Sequence, residues 1–471
     1  MFDAVMQFFN KVDDVMYYPI LIIVLAAAGL FFTFRTRFVQ LRLFGQACKL
    51  IVEKPSGAQK VSSFQALMVS TASRVGTGNI VGVATAICIG GPGACFWMWL
   101  MCIIGASSAF IESTLAQIFK RRNPDGTCYG GPAYYIEKVA KSGVVSVIFC
   151  VFLIATYAFG FNLLCSYNLQ SSFEIYDFYH PTWSPVIIGA VIAGAVALCL
   201  FGGGKRIIGI TEKLVPFMGL GYVLVSLIVI FTHVGNIPQT FAMIFQDAFD
   251  FKAILGGLSG SCLVYGIKRG LYSNEAGVGS APNASASADV THPVKQGLVQ
   301  TVSVYIDTML LCTATALMCL SSGTEFTPDL SGAAYVQNAV STIFGGFGPI
   351  FITIAMVLFA FTTLIGNLYY VDNALIYLNK KKKPSKLFMN LFYVGCVAVV
   401  FVGALIPMDF AWTMADITMG GMTLINIPCC LLLSGVAIRA LRNFESQKKQ
   451  RLNPHFHARD IGLNDADNYW Q

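Results

Sequence analysis

The chain has 471 residues, 56% of them hydrophobic and 12% charged, with a formal net charge of +7 and a mean hydropathy of +0.66. Soluble domains carry about 25% charged residues, so this composition excludes a soluble enzyme and implies a chain that crosses the bilayer many times. The positive excess falls in the loops between apolar runs, which makes it an orientation signal and not a nucleic-acid footprint.

The opening residues, MFDAVMQFFNKVDDVMYY, are acidic and lack the basic region and cleavage site of a signal peptide, so the first apolar run reads as a retained span. Runs long enough to span follow at about 19–34, 63–89, 92–119, 143–170, 185–201, 213–232, 252–267, 297–321, 347–378, 387–407 and 416–438, eleven in all. The segments 35–60, 120–142, 202–213, 268–295, 379–386 and 439–471 hold 28 of the 31 Lys and Arg, whereas 171–184, 322–346 and 408–415 hold none. That bias places the N-terminus outside and the C-terminus in the cytoplasm. The tail and Lys380–Lys383 read as cytoplasmic anchors. The 14 cysteines lie mostly inside apolar runs without zinc-like spacing and read as small apolar fillers.

The second run contains STASRVGTGNIVG at Ser70–Gly82. A helix in hydrocarbon satisfies its backbone internally, and an interruption is tolerated only against protein, water or a ligand. An Arg near mid-span costs a further 2.5–3.5 kcal/mol or so on insertion scales. With the first span set aside, 63–232 and 233–438 form two groups of five that begin on opposite sides. The N-terminal segment 1–62 precedes them and a cytoplasmic tail, 439–471, follows. Such inverted repeats break the first helix of each group near the midplane. In the second group, Gly256, Gly257 and Gly260 with Ser259 and Ser261 mark the expected break.

An unwound span offers N–H groups to an anion at the start of its second half and carbonyls to a cation at the end of its first. Thr77, Gly78 and Asn79 are therefore candidates for a substrate carboxylate, with Gly257, Ser259, Gly260 and Ser261 from the second break. Ala72 and Val75 offer carbonyls to Na⁺, and the hydroxyls of Thr362 and Thr363 complete an oxygen shell. A small zwitterion fits this combination. Arg74, Glu112 and Asp307 are ionisable residues away from the ends of their spans. Arg74 and Asp307 sit at similar depth and are expected to pair, directly or through water, the alternative being an Arg74 that faces a cytoplasmic vestibule. Glu112, nearer the inner surface, is expected to be solvated.

These residues carry a resemblance. STASRVGTGNIVGVATAICIGGPGACFWMW and RGLYSNEAGVGSAPNASASA closely resemble the two most characteristic segments of the alanine/glycine:cation symporter family, the sodium:alanine symporters, and RRNPDGTCYGGPAYY and IDTMLLCTATA look like two more. The resemblance runs from about residue 15 to 440. It implies an all-α, five-plus-five inverted-repeat fold of the leucine-transporter type with one extra N-terminal helix. It also implies Na⁺-coupled uptake of a small neutral amino acid, alanine or glycine, across a bacterial inner membrane. Two departures bear on substrate. Cys165 or Leu164 stands where the family usually has a Gln, and Gly366–Asn367 replaces a common Gly-Trp, making Cys165 and Asn367 candidate pocket residues. Asn274 and Glu275, placed on the cytoplasmic side by the span assignment, are expected to gate or stabilise the fold.

Rival readings are weaker. Gly76–Gly82 imitates a dinucleotide loop but lacks its βαβ unit, and no loop is long enough for a nucleotide-binding domain. H⁺ coupling, selection of serine or glutamine, a passive channel and an amino-acid sensor remain as alternatives. The expected partners are the amino acid, Na⁺ and the bilayer, with no nucleic acid, and the working expectation is a monomer.

Overall fold

The computed structural model describes residues 2–55, 61–122, 126–256, 260–463 and 469–470. It is almost wholly helical. Helix α1 (Met6–Arg35) is followed by the short α2 (Phe44–Ile51), α3 (Ser63–Arg74), α4 (Gly78–Gly90) and α5 (Ala94–Ile118). A two-stranded hairpin, β1 (Arg121–Arg122) with β2 (Cys128–Tyr129), leads to α6 (Pro132–Ala140), α7 (Gly143–Ser171), α8 (Ser184–Leu200), α9 (Gly203–Thr232) and α10 (Ile237–Ala248). The remainder is α11 (Cys262–Asn274), α12 (Pro282–Ser285), α13 (Pro293–Ser321), α14 (Ala333–Phe344), α15 (Phe347–Leu378), α16 (Lys386–Gly403) and α17 (Met408–Lys449).

Among the described residues, 8 helices are long and apolar enough to cross a membrane, or 9 when α3 and α4, bent by 51° at their junction, count as one span. Helix α8 is apolar but shorter. These match ten of the eleven expected runs. The run at 252–267 is different. A short helix, Phe251–Gly256, fills its first part; past residues 257–259, which are not described, α11 starts at a Ser261 cap and continues to Asn274, seven residues beyond the expected end. It packs along α4 and α5, while α12 packs on α3 and α5. A break that the sequence did not announce lies between α11 and α12, at Glu275–Ala281, whereas residues 257–259 of the expected one lie outside the described residues.

Physical constraints explain each limit of the two broken segments. Helix α3 begins at a capping box in which Ser62 and Gln65 exchange side-chain and backbone hydrogen bonds. It ends where Val75 leaves helical geometry at ψ 87°. Helix α11 ends on Glu275 at φ 53°, and Gly277 and Gly279 follow at φ 88° and 91°. Side chains at those two glycine positions would be strained, so the chain can turn tightly only with glycine there.

The placement of α11 also revises the charge count. Gly90, at the far end of α4, faces Cys262 and Tyr265, so the start of α11 lies beside the end of that helix. Lys268 and Arg269 thus belong to the interior of the protein and not to a basic loop. Lys268 bonds Asp13 at 2.5 Å, Arg269 bonds Asp416 at 2.9 Å, and the Arg269 guanidinium lies 3.7 Å above the Trp412 ring. Each positive charge is compensated where it is buried.

On the opposite face the tail folds back. Trp470 is buried, donates from its indole to the Gln117 carbonyl at 2.8 Å and stands edge-on to Phe456. Lys120 binds the Ala288 carbonyl at 3.0 Å and lies 4.3 Å over Tyr469. Beneath Phe456, His292 caps α13 by accepting the Val294 N–H at Nδ1, while Nε2 pairs with Asn443. Burial, reinforced by Lys295 and His455, pushes this imidazole from 6.5 to about 3.

A proton is therefore bound by the unfolded chain and not by the folded one between about pH 6.5 and 3, so stability falls as pH drops through that window. His292→Asn, which keeps a capping oxygen, should flatten the thermal-stability profile between pH 7 and 5.5. An unchanged slope would exclude His292 as the responsive group.

Candidate substrate and ion site

The first break is closed by one side chain. Asn79 accepts the Gly76 N–H at 2.9 Å through Oδ1, and its amide donates to Asp307 Oδ1 at 2.7 Å. Asp307 Oδ1 and Oδ2 also accept from Ser273 at 3.0 and 2.9 Å, and Oδ2 accepts from Thr308 at 2.9 Å. A carboxylate with no solvent exposure is thereby surrounded by amide and hydroxyl groups from α4, α11 and α13.

The second break is held by two more buried carboxylates. Glu275 accepts from Ser73 at 3.0 Å and from Ser280 at 2.6 Å. Glu112 accepts from Asn426 at 2.9 Å and from the Gly277 N–H at 3.4 Å. Neither is solvated, contrary to the expectation for Glu112, and Glu275 is at the centre of the protein and not on its cytoplasmic surface. The span assignment erred because it ended α11 too early. Asn274 reaches Thr308 at 3.2 Å, completing the join between α11 and α13.

Arg74 and Asp307 form no ion pair. Arg74 bonds Gln300 Oε1 at 3.3 Å, and its Nε and Nη2 meet no acceptor among the described residues although the side chain is buried. Gln300 and Asp307 are seven residues apart, about 10 Å along a helix, so equal depth was a poor guide. Arg74 still lies within Coulombic reach of Glu112, Glu275 and Asp307. The unpaired polar atoms of Gln296 and Gln300 belong to the same region.

The candidate cation ligands separate. Thr363 donates to the Ala72 carbonyl at 3.1 Å, at the end of α3 and next to Val75. A Cβ on Gly76 would fall 2.1 Å from the Thr363 hydroxyl, so only glycine permits this approach. Thr362 points elsewhere: its hydroxyl bonds the Leu358 carbonyl at 3.1 Å and approaches the Met218 sulfur. Thr in a membrane helix commonly bonds back in this way.

Of the candidate anion pocket, the part from the first break, Thr77–Asn79, stays together. Thr77 and Gly78 open α4, where backbone N–H groups lack helical partners. The Asn168 amide donates to Thr77 Oγ1 at 3.1 Å, and Cys165 and Tyr272 also reach that hydroxyl. Phe161, Tyr272 and Trp412 stack edge to face at 4.7 and 4.9 Å beside it. A cavity of about 330 Å³ bordered by Val81, Asn168, Glu174 and Gln337 opens immediately above. Burial raises the Glu174 carboxyl above its ordinary range. Asn367 lies deeper, linking Ser73 at 2.7 Å to Asn162 at 3.0 Å. Gly260 and Ser261 are at the far end of α11, roughly 18 Å from Gly78 at 1.5 Å per residue along α4. Gly257 and Ser259 lie outside the described residues.

Asn162, Asn168, Ser73 and Ser273 escaped the sequence reading. Two asparagines inside the apolar stretch FGFNLLCSYN were the available signal, since a buried amide demands partners.

Two helices interrupted at a shared, carboxylate-rich centre within a bundle of apolar spans define a helical membrane carrier. The overall fold agrees: the crystal structure of MhsT in complex with L-phenylalanine superposes with a TM-score of 0.53 at 13% identity, covering 86% of this chain and 92% of that one. Residues 2–458 match the sodium:alanine symporter family, and the chain belongs to that family. It is a transporter for amino acids and not an enzyme. The amino-acid carrier protein AlsT of Bacillus subtilis is 39% identical over 468 residues, 98% of each chain. The probable sodium/glutamine symporter GlnT of the same organism is 38% identical, covering 94% of this chain and 92% of its own. The sodium/alanine symporter AgcS of Methanococcus maripaludis is 34% identical, covering 93% and 97%.

Two substitutions test this centre. Asp307→Asn leaves three donors facing a weaker, uncharged acceptor and should lower uptake at least about tenfold, the cost of a lost charged hydrogen bond; wild-type uptake by folded protein would show that Asp307 is dispensable. Gly76→Ala should abolish uptake while the purified protein still elutes as one folded species, because the added methyl enters the Thr363 contact.

Proposed function

We propose that the protein carries a small neutral amino acid, alanine or glycine, into the cell together with Na⁺ by alternating access. The observation that carries this reading is the apposition of Thr77–Gly78, where helix α4 offers N–H groups to a carboxylate, with the Ala72 carbonyl and Thr363 hydroxyl, which suit a hard cation. The aromatic wall of Phe161, Tyr272 and Trp412 limits the space for a side chain. The names of AlsT and AgcS support the amino-acid class, and GlnT makes glutamine the main rival substrate.

In this reading Ala72, Val75 and Thr363 hold Na⁺, while Thr77, Gly78, Asn168 and Cys165 meet the substrate. Asn79, Asp307, Asn274, Glu275 and Asn367 fix the breaks, and Arg74 faces the inner pathway. Eleven crossings in a five-plus-five inverted repeat, in a bacterial inner membrane with the tail in the cytoplasm, complete the proposal. The crossed pairs α4 with α11 and α3 with α12 support the repeat. A proton-coupled reading is favoured by one observation: Glu112, Glu275 and Asp307 are all removed from solvent, and a charged carboxylate there is expensive.

Uptake of labelled glycine, alanine, serine and glutamine into proteoliposomes, with an inward Na⁺ gradient or an inward proton gradient, decides between the two. Accumulation with Na⁺ alone supports the first reading, and accumulation with protons alone removes the cation site. Thr363→Val should raise the Na⁺ concentration for half-maximal uptake about tenfold, one lost ligand of roughly 1.4 kcal/mol, whereas Thr362→Val should leave it unchanged. Equal effects of the two would refute the assignment of Thr363.

A further inference from the structure

A second cavity, of about 480 Å³, opens on the face that carries the tail, far from the helix breaks. Its wall combines α2, the first turn of α13, the end of α17 and the start of the tail. Three lysines border it, Lys49, Lys295 and Lys448, against one acid, Glu53. Lys295 is the built part of the site. Its side chain is 2% exposed, and its ammonium donates to Glu53 at 2.5 Å and Asn453 at 2.9 Å. The third ammonium proton of Lys295 remains for another acceptor. Gln46 adds a buried amide Nε2 with no partner among the described residues. The cavity is thus rich in donors and short of acceptors, and its lining carries a net charge of +2 from these four ionisable residues. An anion with several oxygens, a phosphate ester above all, matches it.

The surroundings separate a lipid from a soluble phosphate. The segment Leu50–Glu53 contributes Leu50, Val52 and Glu53 to this cavity and Ile51 to a neighbouring groove of about 320 Å³. That groove runs between α3, α9 and α13 past Phe64, Met68, Pro216 and Leu310 to Val75, and Thr71 is the one polar side chain among its described lining residues. Val52, in the wall of the cavity, is 77% exposed, and Leu41 and Phe44, earlier in the same stretch of chain, are exposed as well. Exposed apolar side chains flanking a basic crevice are the pattern of an interfacial element that meets headgroups and acyl chains together.

We propose that an anionic phospholipid binds here, its phosphate in the cavity between Lys49, Lys295 and Lys448 and one acyl chain in the groove beside α3. The phosphate cavity shares no lining residue with the substrate and ion site, and only the far end of the groove reaches it, at Val75.

Native mass spectrometry of the full-length protein, titrated with phosphatidylglycerol or phosphatidylcholine, tests the assignment. The expected result is tight retention of phosphatidylglycerol and weak retention of phosphatidylcholine. The double variant Lys49→Gln/Lys448→Gln, whose side chains are exposed and whose fold is checked by melting temperature, should bind phosphatidylglycerol about thirtyfold more weakly. Leu310→Trp, which fills the groove, should weaken it without touching a charge. Undiminished phosphatidylglycerol binding by the double variant overturns the proposal. So does millimolar inorganic phosphate that shifts the melting temperature of both wild type and Leu310→Trp while phosphatidylglycerol does not, because the site would then take free phosphate.

Discussion

A helix broken inside an apolar interior survives only if its freed groups find partners, and Asn79 is the residue on which that condition rests here. Its carbonyl oxygen accepts the Gly76 N–H inside the break, and its amide engages Asp307 and Ser273, which belong to two other helices. Its own backbone carbonyl accepts from Thr315 at 2.7 Å. One side chain thus caps the interruption and anchors it to α11 and α13. A buried unpaired polar group costs about 1–3 kcal/mol, so a residue that satisfies several such groups together determines whether the bend of 51° can exist. Everything that defines the candidate site, from the Thr363 contact with Ala72 to the exposure of the α4 N-terminus, follows from that bend.

The second break obeys the same rule with different chemistry. Where Asn79 closes the first, Glu275 and Glu112 close the second by accepting from Ser73, Ser280, Asn426 and the Gly277 N–H. Ser73 belongs to the first broken helix and Glu275 to the second, so their hydrogen bond ties the two interruptions directly together. Asn367 and Asn162 extend the link to α15 and α7. The two breaks form one polar body, and neither could be unwound or rewound without disturbing the other.

The bundle of apolar helices, the first break and the neighbourhood of Thr77, Gly78, Asn79 and Thr363 were legible in the chain, because hydropathy and helix-breaking residues are local signals. The second break was not. Attention went to Gly256–Ser261, of which residues 257–259 lie outside the described residues and Ser261 caps α11. SNEAGVGSAP holds the break at Glu275–Ala281, and the signal was its spacing of glycines after an acidic residue. Arg74 and Asp307 form no direct pair for a related reason. Depth along a helix constrains one coordinate, while pairing also depends on azimuth, and Asp307 already had three side-chain donors from other positions. Lys268 and Arg269 misled the loop count because the charge bias treats every base near a span as solvated, although Asp13 and Asp416 accommodate these two within the fold.

That internal charge cluster shows how the far end of α11 communicates with the centre. Arg269 is held by Asp416 and lies over Trp412; Trp412 stacks against Tyr272; and Tyr272 packs on Gly78 so closely that a Cβ there would meet its ring at 2.9 Å. A displacement of α11 relative to α17 must therefore separate opposite charges, which is expensive when one is left unpaired in the interior, and must also move the aromatic wall of the candidate pocket. Toward the opposite face the closure is different: Arg74 meets Gln300 through one hydrogen bond and faces no carboxylate within ion-pair distance among the described residues. One end is held by ion pairs and packed rings, and the other by a guanidinium–amide contact. An alternating-access carrier needs two such ends that differ in what holds them shut, since identical closures would give a ligand no differential free energy with which to favour one state over the other.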